Sequence, residues 1–209
     1  MNIKHTLASL VLAWTVLVSF SSAEVLFKYT PIVMDEIQVM IPYEKIVPLG
    51  YVPPADSVDH TTVTTIEGKK IRVDRIPGGL VFEGAQDKVV LFEIFGYSCP
   101  HCIASIPGLK NLRTKYADKD LLIIAVERYG LSNSELKQYV ADHGINYIAV
   151  AKENEGKIET FASILTGGAS NQGVPYMMVF SKQGELVDTH LGDLDEASTD
   201  ALIQSLLAQ

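Results

Sequence analysis

The sequence predicts an α/β protein in which a central mixed sheet is flanked by helices. From about residue 61 onward, apolar runs of strand length alternate with segments that have helical patterns. Such alternation is typical of a largely parallel sheet. Two strands near the C-terminus, joined by a tight turn at residues 182–185, add an antiparallel edge.

The N-terminus has the pattern of an export signal. A short positive start is followed by an apolar stretch from Thr6 to Phe20 and by small residues that end at Ala23. We expect cleavage after Ala23, so that residues 1–23 are a signal peptide and the protein is periplasmic or otherwise exported. An uncleaved membrane anchor is the alternative, although the apolar stretch is short for a span of ~20 residues.

The remaining 186 of the 209 residues (209 − 23) divide into two predicted parts. Residues 24–60 carry five of the nine prolines, and proline disfavours long regular elements. We interpret this segment as an extension that precedes the domain, and no feature of it fixes an oligomeric state. Residues 61–209 are long enough to form one domain with its own core.

The charge of the chain argues against nucleic acid as a partner. The formal net charge is −8 at pH 7, and no run of basic residues stands out. Proteins that bind nucleic acid neutralise its phosphates with clustered Lys and Arg side chains. We therefore expect no nucleic-acid binding.

The predicted domain begins with a β-hairpin and a buried strand. Residues 61–66 and 70–73 alternate as strands do, and the turn between them contains a glycine. Residues 88–95, KVVLFEIF, form a continuous apolar run. A run of this length is expected for a central strand that is covered on both faces.

The later elements follow from caps and breakers. A helix is predicted to begin at Pro100, since proline is favoured in a first turn, and to reach about Tyr116 with a kink at Pro107. Another begins at the capping box that starts with Ser132 and ends at Gly144. The other predicted elements are strands at 120–127, 146–151, 174–181 and 185–192, and helices at 155–165 and 195–207.

The only two cysteines, Cys99 and Cys102, lie in the segment FGYSCPHC. A disulfide between them closes a very short loop and constrains the unfolded chain little, so it suits reversible exchange better than a structural bridge. Cys99 precedes the predicted helix, whose positive N-terminal end favours a thiolate. Cys99 is therefore expected to attack, and Cys102, inside the helix, to resolve the mixed disulfide.

His101, between the two cysteines, adds a donor that favours the Cys99 thiolate and so makes the disulfide more oxidising. In this interpretation the redox group is the Cys99–Cys102 disulfide itself, and no dissolved cofactor is needed. A zinc site would usually need a second pair of cysteines or a distant pair of histidines. A Cu(I) site that uses the two cysteines and Met177 or Met178 remains an alternative.

Glu93 interrupts the apolar strand six residues before Cys99. A buried carboxylate is costly unless it is paired or protonated. A buried carboxyl group with a raised pKa could accept or donate the proton of Cys102 during exchange. The alternative is an edge position from which Glu93 reaches solvent.

The dipeptide Val174-Pro175 precedes an apolar strand and follows Gly173. It is a candidate for a cis peptide bond, with an ordinary turn as the alternative. A cis-proline turn would leave the backbone of Val174 free to pair with an extended substrate chain.

From about residue 61 to the C-terminus, the sequence resembles proteins with the thioredoxin fold. The features that carry this resemblance occur in the family's order and spacing. They are a buried acid, an active dithiol, a helix-kinking proline and a cis-proline turn, which correspond to Glu93, Cys99-Pro100-His101-Cys102, Pro107 and Val174-Pro175.

Different parts of the sequence resemble two different subfamilies of this fold. Residues 121–150 resemble the inserted strand and helix of exported TlpA-like (ResA-like) thiol–disulfide oxidoreductases, whereas Ser98 stands where those proteins usually have Trp. The CPHC motif and Val174 instead resemble DsbA-type oxidases. The resemblance implies exchange with protein thiols or disulfides and recycling by a membrane redox partner. Both directions of exchange stay open, and His101 favours oxidation.

Overall fold

A computed structural model of the chain describes residues 59–116 and 120–209. The predicted signal peptide at residues 1–23 lies outside the described residues, and so does the extension up to residue 58. Within the described ranges, no helix combines the length and the apolar character that a membrane span requires.

The described chain begins with a three-stranded antiparallel sheet. Its strands are β1 (His60–Thr64), β2 (Lys70–Ile76) and β3 (Gly79–Phe82), and β2 lies in the middle. The predicted hairpin is confirmed as β1 and β2. No strand was predicted at β3, because four residues that begin with glycine are too short to show an alternating pattern.

The position of β3 depends on a close backbone contact. The N–H of Leu80 donates a hydrogen bond to the carbonyl of Gly184, 2.8 Å away. A Cβ atom on Gly79 would lie 1.9 Å from that same carbonyl oxygen, so only glycine fits here. This contact joins the small sheet to a turn near the C-terminus.

The central sheet has five strands in the order β6-β5-β4-β7-β8. The two pairs among β4, β5 and β6 are parallel, whereas β7 runs antiparallel to both β4 and β8. The predicted mixed sheet is confirmed, and β4 occupies its centre with all seven residues buried. The strands are β4 (Val89–Phe95), β5 (Leu121–Glu127), β6 (Ile148–Val150), β7 (Tyr176–Phe180) and β8 (Leu186–Leu191).

Four α-helices are described, and each lies where a helix was predicted. The third begins at residue 158 rather than 155, because the preceding Gly156 has a φ of 62°, which is incompatible with a right-handed helix. The second begins after the predicted capping box of Ser132 and Glu135. It ends at Gly144, whose φ of 58° is in the left-handed region that favours glycine. The helices are α1 (Pro100–Tyr116), α2 (Asn133–His143), α3 (Ile158–Leu165) and α4 (Glu196–Leu207).

Alternate residues of β4 face two separate cores. Phe92 and Ile94 pack with the three-stranded sheet and α3 on one side. Leu91 and Phe95 pack with α1, α2 and α4 on the other side, which also contains both cysteines. Because side chains alternate along a strand, Glu93 shares the side of Leu91 and Phe95. The fold thus places the predicted acid and the predicted dithiol in one core.

Candidate active site

The Cys99 sulfur lies at the N-terminal end of α1. The carbonyl of Cys99 accepts the N–H of Ile103 at 3.0 Å, so Cys99 directly precedes the first turn. Its Sγ accepts the N–H of Cys102 at 3.4 Å. Both cysteines are free thiols, with Cys99 8% exposed and Cys102 2% exposed. Cys99 is therefore the more accessible sulfur, and a backbone N–H from the first turn of α1 points at it.

The Cys102 sulfur has a different environment. Burial raises the pKa of the Cys102 thiol, and the neighbouring Cys99 and Glu93 add to the effect. The N–H of Gly96 donates to its Sγ at 3.4 Å and acts in the opposite direction, but burial dominates. Cys102 therefore holds its proton at neutral pH until a base removes it.

The turn before β7 reaches the Cys99 sulfur because β7 runs antiparallel to β4, with Tyr176 opposite Ile94. The thiol of Cys99 donates a hydrogen bond to the carbonyl of Val174, 3.5 Å away. The peptide bond between Val174 and Pro175 is cis, as the sequence suggested. The structure thus brings together residues that are 75 positions apart.

Glu93 lies in the central strand and is 2% exposed, so the alternative of an edge position is wrong. Its Oε1 is buried and has no hydrogen-bond partner among the described residues. Burial raises the pKa of Glu93 to about 8. A carboxyl group of this kind is mostly protonated near neutral pH and can exchange a proton with a nearby thiol.

His101 lies at the surface end of the site. Its Nδ1 is 2.7 Å from Oδ1 of Asp193, which lies in the loop between β8 and α4. The two side chains are 67% and 61% exposed. Solvent screens this pair strongly, so its contribution to folding is small. The sequence carries no local signal for Asp193, which is 92 positions from His101.

Glu127, at the end of β5, fixes the backbone around the site and was missed by the sequence analysis. It is fully buried, and its carboxylate accepts four backbone N–H groups. The donors and distances are Tyr97 at 3.4 Å, Tyr129 and Gly130 at 2.8 Å, and Leu131 at 2.9 Å. Glu127 therefore ties the loop before Cys99 to the loop after β5. An acidic residue that ends an apolar run was the available signal.

Glu127→Gln should lower the free energy of unfolding by roughly 2 kcal/mol, because the amide NH₂ would face backbone donors and leave them unsatisfied. Urea denaturation measures this loss. Glu67→Gln is the matched control, since Glu67 is exposed and should change stability little. Equal midpoints for the two variants would contradict a stabilising role for the four hydrogen bonds.

The two methionines of the copper alternative lie on opposite faces of the sheet. Met178 packs with Phe92 in the core that lacks the cysteines. Met177 pairs with Glu93 across β4 and β7, on the face that contains the cysteines. In the part of the chain that the structure describes, no group of three or more His, Cys, Asp or Glu side chains is arranged to hold a metal ion.

A sequence profile described as Redoxin matches residues 82–203, more than half of the 209-residue chain. The match begins at the end of β3 and ends within α4, so it includes Glu93, the dithiol and the Val174 turn. No curated protein matches the sequence closely enough to count as a relative.

Several solved structures are similar to this fold. A thiol:disulfide interchange protein of the thioredoxin family from Chlorobium tepidum is 20% identical, with a TM-score of 0.53. The alignment covers 75% of this chain and 99% of that protein. The thioredoxin domain of a thiol–disulfide oxidoreductase from Bacteroides vulgatus is 14% identical, with a TM-score of 0.52. The alignment covers 73% of this chain and 99% of that domain. A thiol–disulfide isomerase from Corynebacterium glutamicum is 17% identical, with a TM-score of 0.50. The alignment covers 61% of this chain and 85% of that protein. At these identities the likeness establishes the fold, which is thioredoxin-like.

Proposed function

The chain belongs to the redoxin family, and from this premise we propose that it is a thiol–disulfide oxidoreductase that exchanges disulfides with protein partners. The observation that carries the proposal is the environment of the Cys99 sulfur. It lies at a helix N-terminus, accepts the Cys102 N–H, and is 3.5 Å from the Val174 carbonyl. A structural bridge requires none of these contacts, whereas an attacking thiolate benefits from the helix N-terminus.

In the reducing direction, the Cys99 thiolate attacks a substrate disulfide, and one substrate sulfur leaves as a thiolate. Glu93 then removes the proton of Cys102. The Cys102 thiolate attacks Cys99, and the second substrate sulfur leaves. The protein gains a disulfide, and the substrate gains the two electrons that the dithiol loses.

The oxidising direction runs these steps in reverse. A substrate thiolate attacks Cys99 of the disulfide, and Cys102 leaves and receives a proton from Glu93. A second substrate thiol then displaces Cys99. In both directions, Val174 and Pro175 contact the partner backbone. His101 favours the Cys99 thiolate. A favoured thiolate stabilises the reduced protein and makes its disulfide more oxidising, so we favour the oxidising direction.

The setting of the reaction is part of the proposal. We propose an exported protein of the TlpA-like (ResA-like) type with a DsbA-like CPHC motif. The N-terminal sequence pattern supports export, and the alternation of β5, α2 and β6 supports the subtype. Each turnover changes the oxidation state of the dithiol, so a redox partner must restore it, and the family resemblance supports a partner in the membrane.

The reduction potential of the Cys99–Cys102 pair decides the direction. Equilibration in glutathione buffers, with Cys99→Ala as the control that cannot form the disulfide, gives this potential. We expect a value nearer to DsbA, at about −120 mV, than to thioredoxin, at about −270 mV. A value near the thioredoxin end would contradict the oxidising direction and indicate a reductase.

A separate measurement distinguishes enzyme from metal carrier. The wild-type protein is titrated with Cu(I) without oxygen, and its exchange with a disulfide-containing protein is assayed in parallel. Exchange without tight copper binding supports the proposal. Tight stoichiometric copper binding without exchange would overturn it.

A further inference from the structure

A tyrosine from α2 completes the buried surroundings of the dithiol. The ring of Tyr139 packs on Phe95, with 6.1 Å between centroids, and on His143, with 4.0 Å between centroids. Tyr139 also packs against the core cluster that contains Cys99 and Cys102. Its hydroxyl oxygen is buried and has no hydrogen-bond partner within the described ranges.

The unpartnered hydroxyl of Tyr139 shares this core with the unpartnered Oε1 of Glu93. A buried polar atom without a partner costs free energy, so each of these two atoms needs a partner, and one bound water can serve both. Burial, followed by the charges of Cys102 and Glu93, raises the pKa of Tyr139 to about 12. The hydroxyl therefore keeps its proton in the range where Glu93 titrates and can act only as a neutral donor or acceptor.

We propose that Tyr139 is a positioning residue for Glu93 and acts through one buried water, which accepts a hydrogen bond from the Tyr139 hydroxyl and donates one to the Glu93 carboxylate. The bond favours the carboxylate form of Glu93, which is the form that removes the Cys102 proton. The consequence for exchange rests on the proposed function, whereas the hydrogen bond itself does not.

Other groups also surround Glu93 and could influence its titration. Burial raises the pKa values of Cys102 and Tyr147, so neither loses its proton below the range in which Glu93 titrates. The groups that face this core are Cys99 and Cys102 from α1, Tyr139 from α2 with His143 stacked on it, Tyr147 from the segment before β6, and Glu127 from β5.

Tyr139→Phe in the full reduced chain tests the hydrogen bond. The titration of Glu93 is followed by NMR with ¹³C-labelled glutamate, and Glu93→Gln identifies its signal. We expect the midpoint to rise by on the order of one pH unit when the donor is removed. The matched control is Tyr116→Phe, which deletes a hydroxyl that donates to Asp200 at 2.6 Å near the other end of α1. This control should leave the Glu93 midpoint unchanged.

A second measurement needs no variant at Tyr139. The ¹³Cζ signal of Tyr139 in the wild-type protein should change with the same midpoint as the Glu93 carboxyl. A flat Tyr139 signal, or a folded Tyr139→Phe protein with an unchanged Glu93 midpoint, would overturn the proposal. Because the Tyr139 signal is measured in the wild-type protein, the proposal can be tested even if Tyr139→Phe folds poorly.

Exchange kinetics test the consequence for function. The pH profile of mixed-disulfide resolution should move to higher pH in Tyr139→Phe by the amount that the NMR midpoint moves. In a Glu93→Gln background, Tyr139→Phe should cause no further shift, and a further shift would contradict action through Glu93. A wild-type protein that shows the NMR shifts but exchanges no disulfides would overturn the proposed function and leave the hydrogen bond intact.

Discussion

Cys102→Ser is expected to stop turnover while leaving Cys99 able to form a mixed disulfide. Cys99 is the more exposed sulfur and lies at the end of α1, so it should still react with a substrate disulfide. Without Cys102, release of the substrate from Cys99 depends on an external thiol at millimolar concentration instead of on the neighbouring Cys102 sulfur. An oriented intramolecular group acts at a far higher effective concentration, so turnover should fall by at least roughly 10³-fold.

Non-reducing gels and mass spectrometry of the trapped complex measure this result. Cys99→Ser is the matched control and should form no mixed disulfide, although it makes the same sulfur-to-oxygen change three residues away. A Cys99→Ser protein that traps substrate through Cys102 would reverse the assigned roles. The burial and the raised pKa of the Cys102 thiol are the physical reasons to expect otherwise.

The parts of the site that could be predicted are those whose signal is local in sequence. The Cys99-to-Cys102 spacing, the acid in an apolar strand and the X-Pro dipeptide are each visible within a few residues. The structure brings Cys99 and Val174 together because β7 pairs with β4. Their roles in exchange stay predictions until they are measured.

The residues that were missed each make a contact with a segment distant in sequence, although three of the four hydrogen bonds of Glu127 are local. Glu127 reaches Tyr97 across 30 positions, and Asp193 reaches His101 across 92. An acidic residue at a strand end has the same local pattern whether it faces solvent or accepts four backbone hydrogen bonds. Such contacts depend on which loops meet at one edge of the sheet, and no local period encodes that.

The fold shows the same division between local and distant signals. The capping box at Ser132 and Glu135 gave the start of α2, because both partners lie within one turn. Strand β3 was missed because its four residues are held by β2 and by the Gly184 turn rather than by a pattern of their own. The predicted domain boundaries at residues 23 and 60 stay predictions, since nearly all of the flanking chain lies outside the described residues.

Glu93→Gln should make the protein more stable than wild type at high pH while slowing its exchange. In the folded protein the pKa of Glu93 is about 8, against an ordinary 4.5, because burial disfavours the charge. The stability that comes from holding this proton is fully present below pH 4.5 and is lost as the pH rises through 8. Ionisation of Glu93 should therefore cost the wild type on the order of 4 kcal/mol between pH 5 and pH 9.

Glutamine lacks this titration, so the difference in unfolding free energy between Glu93→Gln and wild type should grow in favour of the variant as the pH rises from 5 to 9. Urea denaturation at each pH measures this difference, and the contributions of the titrating groups that both proteins share cancel.

Resolution of the mixed disulfide should slow by roughly 10²-fold in the variant, because glutamine cannot take the Cys102 proton. Parallel stability curves would show that Glu93 does not titrate in this range, and an unchanged resolution rate would assign the proton transfer to another group. Greater stability together with slower exchange would mean that the fold retains a destabilising buried acid for its chemistry.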